Sequence, residues 1–373
     1  MSNKILKFVK DEAVLIVSFV LAAVSAFFVT PSAEYIDYID FRTLALLLCL
    51  MLVTAGLSRQ GVFSLLAGKM LGKAGNMRSL GLLLCLLCFF SSMVITNDVA
   101  LITFVPFTIV VLKMAGRARD MIKLVVFETV AANLGSMATP IGNPQNLYLF
   151  SAFEMDMGSF LSAILPYVLL SLVLTVVCAL FLDKERVSSP AGSTDITPEK
   201  SKVILYLLLF VPSLLTVFRV LDFVPVLVVT VAAVLIFDRK TLMKADYSLL
   251  LTFVFLFVFI GNLGKIDAVS NMLGKIVSGN EVPVGILASQ VFSNVPAALL
   301  LSGFTDNAHS LLVGVNLGGL GTLIASMASL ISFKFIAKED VSKSRYIFMF
   351  TVVNVIFLVL NIALWLVVKS VSL

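Results

Sequence analysis

Long apolar runs separated by short polar stretches form the main pattern along this chain. A helix needs about 20 mostly apolar residues to cross the hydrocarbon layer of a bilayer. By this measure the pattern predicts about nine membrane-spanning helices. The predicted ranges are 13–30, 41–58, 121–152, 159–182, 203–218, 223–237, 247–264, 308–336 and 346–368.

Two further apolar stretches, residues 79–114 and 283–304, are each interrupted near the middle by polar residues. Backbone that leaves the helix inside a membrane is tolerated only where protein or a water-filled cavity satisfies its polar groups. We therefore interpret both stretches as re-entrant helical hairpins. The polar tips are Thr96-Asn97-Asp98 in the first hairpin and Ser293-Asn294 in the second.

Basic residues indicate the orientation, because cytoplasmic loops of membrane proteins carry an excess of Lys and Arg. Lys4, Lys7 and Lys10 place the N-terminus in the cytoplasm, and basic residues at both ends of 79–114 place both ends of the first hairpin there too. Following the spans onward, the second hairpin enters from outside and the C-terminus lies outside. The two hairpin tips are therefore predicted to point at each other.

Composition supports a membrane protein, since 60% of the residues are hydrophobic and only 13% are charged. Soluble domains carry about 25% charged residues. The net charge of +5 lies in the loops and reports orientation, so we expect no nucleic-acid partner. An enzyme is disfavoured because the chain has a single His and shows no metal-ligand set or Ser/His pairing.

An internal repeat is visible where residues 133–147 and 316–330 share Asn, Leu, Gly, Thr, Ile and a final Leu in register. The extra span 203–218 makes equivalent elements start on opposite sides of the membrane, which predicts inverted repeats. The fold class expected is an all-α polytopic membrane protein built from two inverted-topology repeats. Residues 1–182 form repeat 1, with its hairpin and the broken helix 121–152; residues 183–202 form a cytoplasmic linker; residues 203–373 hold the extra span and repeat 2, with its hairpin and the broken helix 308–336.

The two hairpin tips and the two breaks, at 138–146 and 318–326, carry the candidate chemistry. Carbonyls freed at such places can ligate Na⁺, and amides at the start of the following half-helices favour an anion. This predicts a site for a small anion and a coupling cation, with no other cofactor. The expected substrate ligands are Thr96, Asn97, Asn143, Asn146, Ser293, Asn294, Thr322 and Ser326. Cation binding or proton coupling is expected at Asp98, Asn133, Gly135, Thr139, Gly142, Asn316 and Gly318, with Na⁺ at Asn97, Asp98, Thr139 and Asn294.

Two acidic residues lie inside apolar segments, where a carboxylate is costly and is a functional hypothesis by default. Asp98 has three interpretations: it ligates Na⁺, it carries a coupling proton, or it caps the second helix of its hairpin. Its counterpart in the repeat is Val295, so the shared fold does not need the acid. Glu128 lies only five residues from Lys123, so we expect its side chain to snorkel towards the cytoplasmic face.

In four segments the chain resembles the ion transporter superfamily: residues 96–106, 139–146, 293–299 and 316–330. Two branches compete, the divalent anion/sodium symporters and the arsenite permease and sodium/proton antiporter group. In the symporters, hairpin-tip Ser-Asn-Thr motifs bind both Na⁺ and a substrate carboxylate, and the resemblance carries this role over to Thr96-Asn97-Asp98 and Ser293-Asn294-Val295. The second tip matches only the first two residues of the motif. The Asn97-Asp98 pair is more similar to the permease branch. The resemblance also implies a homodimer in the inner membrane of a prokaryote, moving substrate by an elevator motion.

These observations favour a secondary active transporter that moves a small anion coupled to Na⁺ or H⁺. The anion is a carboxylate, such as citrate or a dicarboxylate, or an inorganic oxyanion. The alternative is an arsenite or antimonite efflux permease or a Na⁺/H⁺ antiporter. A channel is the third hypothesis, and it predicts single-channel currents without saturable counterflow.

Overall fold

The computed structural model of this chain describes residues 12–63, 65, 75–186 and 198–371. The described residues form α-helices joined by short connections. Their bounds are α1 Ala13–Ser25, α2 Phe41–Arg59, α3 Met77–Ile95, α4 Asn97–Met114, α5 Met121–Ser136, α6 Pro144–Ala152, α7 Met157–Leu180, α8 Lys200–Val217, α9 Phe223–Phe237, α10 Arg239–Leu242, α11 Tyr247–Gly264, α12 Asp267–Val277, α13 Glu281–Phe292, α14 Asn294–Ser302, α15 Ala308–Gly318, α16 Met327–Ile336 and α17 Lys343–Val371.

Seven of the described helices are long and apolar enough to cross a membrane, and they are α2, α3, α4, α7, α8, α11 and α17. The all-helical membrane fold is therefore confirmed. The division into nine crossings and two re-entrant hairpins is not reproduced by helix length, since α3 and α4 of the first hairpin are themselves of spanning length. The number of crossings and the inverted topology stay predictions.

The first predicted span, 13–30, is helical in the structure only to Ser25. A buried polar anchor explains the early end. Asn262 of α11 donates hydrogen bonds of 2.9 Å to the hydroxyl oxygens of Ser25 and Tyr35, so the chain turns there to meet it. Helix α12 was not predicted, because it is short and only Val277 of its residues is buried. Residues 187–197 of the predicted linker lie outside the described residues.

Each hairpin turns on one residue with an unusual backbone conformation. Thr96 joins α3 to α4 with φ 67° and ψ 151°, and Ser293 joins α13 to α14 with φ 73° and ψ 156°. Side chains rarely adopt this region, and each such residue costs about 1–3 kcal/mol unless its surroundings enforce it. The two tips therefore share one strained geometry, and both are held by helices that pack against them.

Each broken helix, α5–α6 in the first half and α15–α16 in the second, contacts both hairpins. Within its own half, α3 packs on α5, and α13 packs on α15. Across the halves, α4 packs on α16, and α14 packs on α6. Each hairpin thus contacts the second segment of the other half's broken helix, which brings both tips and both breaks into one region.

Outside this region, α2, α8 and α9 enclose a second, smaller apolar cluster that includes Leu52, Val53 and Tyr206. A polar clamp closes one end of it. Arg59 at the end of α2 forms a 2.8 Å ion pair with Asp238, and the Tyr206 hydroxyl donates to the other Asp238 oxygen at 2.8 Å. Burial acts to raise the pKa of Asp238, but hydrogen bonds from Arg59, Tyr206 and Thr241 outweigh it and lower that pKa.

Candidate substrate and cation site

Asn316 of α15 ties its own helix to the break in the other half. Its amide nitrogen donates to the Asn146 side-chain oxygen at 2.7 Å, and its side-chain oxygen accepts from the Asn143 amide at 3.2 Å. Asn143 also caps α6, since its oxygen accepts from the Asn146 backbone N–H at 2.9 Å. One buried amide side chain therefore fixes the start of α6.

Asn133 of α5, in the first half, makes the equivalent contacts to the break of the second half. Its amide nitrogen donates to the Ser329 hydroxyl at 3.1 Å, and its oxygen accepts from the Ser326 hydroxyl at 3.1 Å. Ser326 is the residue directly before α16. Asn133 and Asn316, with these partners, are called the two asparagine hubs below.

The hubs obey the register of the sequence repeat. Alignment of Asn133 with Asn316 places Asn143 opposite Ser326 and Asn146 opposite Ser329. The bonds from Asn133 to Ser326 and Ser329 are therefore the counterparts of those from Asn316 to Asn143 and Asn146. Each asparagine bonds to the break of the other half, so the two broken helices hold each other at their breaks.

The first hairpin tip joins the network through Asn97. Its amide nitrogen donates to the Asn133 oxygen at 3.1 Å, and its backbone N–H donates to the carbonyl of Gly142 at 3.1 Å. Its side-chain oxygen accepts from the Asp98 N–H at 3.0 Å. Both side-chain ends of Asn97 are thus engaged.

Asp98 lies half-buried in the first turn of α4. Its carboxylate accepts no hydrogen bond from the residues that the structure describes, so the capping interpretation has no bond to support it. The Asp246 carboxylate is close enough to repel the Asp98 charge. The mutual repulsion of two carboxylates is relieved by a bound cation, so this setting favours one.

The second hairpin tip is buried and meets the second break. Ser293 and Asn294 are almost fully covered, and Asn294 lies so close to Gly319 that a Cβ there would come within 2.9 Å of the Asn294 amide nitrogen. The Ser293 hydroxyl lies 3.5 Å from the carbonyl of Ala325, just before α16. Val295, opposite Asp98 in the repeat, is buried and apolar.

Four helix N-termini therefore meet at the hubs, and they belong to α4, α6, α14 and α16. Backbone N–H groups in the first turn of a helix have no helical partner, and the helix dipole places partial positive charge there. The side chains around them are neutral amides and hydroxyls, apart from Asp98. Such an arrangement can hold a small anion, with a cation beside Asp98.

Comparison with known proteins decides the family. A family described as "Citrate transporter" matches residues 5–310. The chain belongs to this transporter family. It is also 33% identical over 333 residues to an uncharacterized transporter of Methanocaldococcus jannaschii, covering 88% of this chain and 90% of that protein.

Two further relatives extend the comparison. Inner membrane protein YbiR of Escherichia coli is 31% identical over 301 residues, covering 79% of this chain and 80% of that protein. The silicon efflux transporter of rice, Oryza sativa subsp. japonica, is 30% identical over 158 residues, or 42% of this chain and 32% of that protein. The recognised resemblance and the expectation of a transporter rather than an enzyme are thereby confirmed.

Not every expected site residue of this transporter lies in the network. Thr322 is exposed, and its hydroxyl makes no hydrogen bond with the described residues, while its backbone N–H donates to the Gln290 side-chain oxygen at 3.0 Å. Its counterpart Thr139 donates its hydroxyl to the Met93 carbonyl of α3. The structure therefore separates Thr322 from the other expected substrate ligands.

The expected glycines contribute close packing. A Cβ on Gly135 would lie 2.0 Å from the Phe89 carbonyl oxygen, and one on its counterpart Gly318 would lie 2.4 Å from the Ser289 hydroxyl oxygen. Both glycines let the first helix of a hairpin approach the broken helix. Gly142 is equally confined, since its Cβ would lie 2.0 Å from the Ser136 carbonyl oxygen.

Gln290 is a site residue that the sequence interpretation missed. Its amide nitrogen donates to the carbonyls of Gly318 and Leu320, both at 2.8 Å, and so ties α13 to the second break. Short side chains at the breaks were the expected ligands, whereas Gln290 is a long side chain within a helix. The sequence did carry one signal for this role, namely a single Gln within the apolar run that precedes Ser293.

The expectation that Glu128 snorkels is wrong. Its side chain is fully buried in α5, where one carboxylate oxygen accepts a hydrogen bond from the Thr108 hydroxyl of α4. Helices α3, α4 and α17 pack around α5 and cover the direction in which the side chain would have extended. Distance from Lys123 along the chain was thus a poor guide, because it did not report which face of α5 is covered.

Proposed function

We propose that this transporter moves a small anion across the membrane, coupled to Na⁺ or H⁺. The substrate is a carboxylate, such as citrate or a dicarboxylate, or an inorganic oxyanion. The observation that carries the proposal is the meeting of four helix N-termini at the two asparagine hubs. Helix N-termini and neutral amide donors bind anions without placing a fixed positive charge that would hold them too tightly to release.

In this proposal the anion lies between Asn97 and Asn294, and the coupling cation lies beside Asp98. Carboxylate, amide and carbonyl oxygens are the ligands that a hard cation prefers. The cation offsets the negative charge of Asp98, which would otherwise repel the substrate. Binding of the two ions is therefore expected to be cooperative, since each reduces the electrostatic cost of the other.

The proposed motion is an elevator-type displacement of the hairpins and broken helices in a homodimer. Two features support it: the hairpins and broken helices interlock through the hubs, and α2, α8 and α9 enclose an apolar cluster of their own. The interlocked part can move as one body because its halves hold each other at the breaks. The N-terminus is proposed to lie in the cytoplasm.

The experiment is uptake of labelled citrate, dicarboxylates, sulfate and phosphate into proteoliposomes under an imposed Na⁺ or proton gradient. Accumulation should require one of the gradients, and unlabelled substrate inside should accelerate counterflow. Asn97→Ala and Asn294→Ala should both abolish accumulation, whereas Thr322→Ala, a matched control away from the hubs, should not. Failure of every anion to enter under either gradient would refute the proposal.

Asp98 favours a second candidate, which is efflux of arsenite or antimonite, or Na⁺/H⁺ exchange. An acid at the hairpin tip repels an anion, but it is compatible with a cation or with the uncharged hydroxide form of arsenite or antimonite. One relative is named as a silicon efflux transporter. Inverted vesicles loaded with arsenite or with a pH-sensitive dye separate this candidate from the first. Gradient-driven export that no anion inhibits would favour it.

A further inference from the structure

Glu128 is the charged group that the proposed site leaves unexplained. It lies on the same helix as Asn133, five residues and about 7.5 Å of helical rise away. One carboxylate oxygen accepts from Thr108, but the other is buried without a hydrogen-bond partner among the described residues. A fully buried acid with an unpaired oxygen is unusual and calls for a reason.

The described residues packed around Glu128 bring no positive charge against its carboxylate. Helix α3 brings Cys85 and Cys88 towards it, and α17 brings Tyr346. Helix α4 contributes Thr108, and Cys178 of α7 interacts with Cys85. On α16, Ser332 bonds Thr129, while the Lys334 side chain is exposed at the surface.

The ionised form of such a group is strongly disfavoured. Burying a carboxylate without a paired cation costs several kcal/mol, so the group takes up a proton instead. The protonated form also suits the geometry, because a carboxylic acid needs fewer hydrogen-bond donors than a carboxylate. Glu128 is therefore neutral in this conformation and can ionise only where the packing of α4 and α17 around it changes.

Three further polar side chains on α17 and α7 are buried with an unpaired oxygen. Asn354 and Asn361 of α17 are fully buried, and the side-chain oxygen of each has no hydrogen-bond partner in the described chain. Ser171 of the neighbouring α7 is likewise buried with an unpaired hydroxyl. Each of these oxygens can accept a hydrogen bond from water.

We propose that Glu128 is a proton-carrying site of this transporter, bound to Thr108 when protonated and releasing its proton when the hairpin bundle moves. This rests on the proposed function, because it assigns the proton that would accompany the substrate. It also adds a second asymmetry between the halves: the counterpart of Glu128 in the repeat is Leu311, which is fully buried and carries no proton.

The transport test compares Glu128→Gln with Glu281→Gln. Glu281 is a matched control, since it is also buried and is bonded by Thr305, which follows Asn294 by the same eleven positions that separate Thr108 from Asn97. Proton-driven accumulation should be lost in Glu128→Gln while substrate counterflow, which needs no net proton movement, persists. Glu281→Gln should keep both. Proton-driven accumulation that survives in Glu128→Gln overturns the inference.

Infrared spectroscopy of the purified protein gives a readout that needs no substrate. At neutral pH the wild type should show a protonated carboxyl stretch that disappears in Glu128→Gln, persists in Glu281→Gln and shifts in Thr108→Val. Absence of that band in the wild type overturns the inference even if transport works. If no anion is transported but the band is present and shifts in Thr108→Val, the proton site stands and only the proposed function fails.

Discussion

The two asparagine hubs make the same contacts with different chemistry around them. Asn133 and Asn316 each bond two residues of the opposite break, at positions that align in the repeat. Yet the first half carries Asp98, Glu128 and two prolines where the second has Val295, Leu311, Leu323 and Met327. The shared contacts explain how the hairpins are held. Under the proposed function, these differences assign ion coupling to the first half.

The largest effect is expected at the hairpin tips, where the acid has no counterpart. Asp98→Asn should reduce cation-dependent uptake by about 100-fold, because loss of a charged ligand costs about 2–3 kcal/mol of cation binding. Val295→Asn, the matched change in the second half, should leave the cation dependence unchanged. Initial uptake rates at varied Na⁺ and pH measure both. Equal losses in the two variants would show that the halves share the coupling.

The hubs themselves should respond alike. Asn133→Ala and Asn316→Ala each remove two hydrogen bonds to the opposite break, which costs about 2–4 kcal/mol of stability. Chemical unfolding in detergent micelles, followed by tryptophan fluorescence of Trp365, measures the change. Comparable losses support the equivalence of the hubs. A loss confined to one variant would mean that only one break depends on its asparagine.

The ion pairs that end α2 and α11 provide a test with a pH dependence. Arg59 pairs with Asp238, whose side chain is only 5% exposed, whereas Lys265 pairs with Glu34 at 43% and 60% exposure. Breaking the buried pair with Asp238→Asn should cost about 2 kcal/mol, reduced from the fully buried value because Arg59 is partly exposed. Glu34→Gln should cost less.

Since the folded-state pKa of Asp238 is lowered, its contribution to stability is present above the ordinary aspartate pKa of about 4 and is lost as pH falls through the lowered value. The stability difference between wild type and Asp238→Asn should therefore be constant near neutral pH and shrink at acidic pH. Unfolding curves from pH 7 downward measure it. A difference that grows on acidification would contradict the assigned ion pair.

The smallest effect is expected at the paired threonines of the breaks. Thr139→Val removes the hydroxyl that bonds the Met93 carbonyl and should cost about 1 kcal/mol. Thr322→Val alters an exposed side chain and should change stability by less than about 0.5 kcal/mol. The same unfolding assay measures both. A larger cost at Thr322 would place that hydroxyl in the network after all.

Much of this arrangement could be read from the sequence, because apolar runs, polar tips and a repeated Asn-Leu-Gly segment are local signals. The polar tips predicted from the sequence begin at Thr96 and Ser293, which are the residues where the two hairpins turn in the structure. Both breaks lie where Gly, Pro and Asn cluster. What failed was orientation about a helix axis. The covered face of Glu128, the packing role of Gly135 and the bridging role of Gln290 depend on which helices lie alongside, and no run of residues encodes that by itself.

The central claim is that the anion is held between the two hairpin tips beside the hubs, while the first half alone couples the cation. A thermal-shift titration of citrate tests it most directly, performed on wild type and Asp98→Asn with and without Na⁺ and at two pH values. A ligand that binds the folded state raises its stability in proportion to occupancy. The account predicts that Na⁺ or acid strengthens citrate stabilisation in the wild type, and that Asp98→Asn still binds citrate without that dependence. Equal cation dependence in both proteins would contradict it.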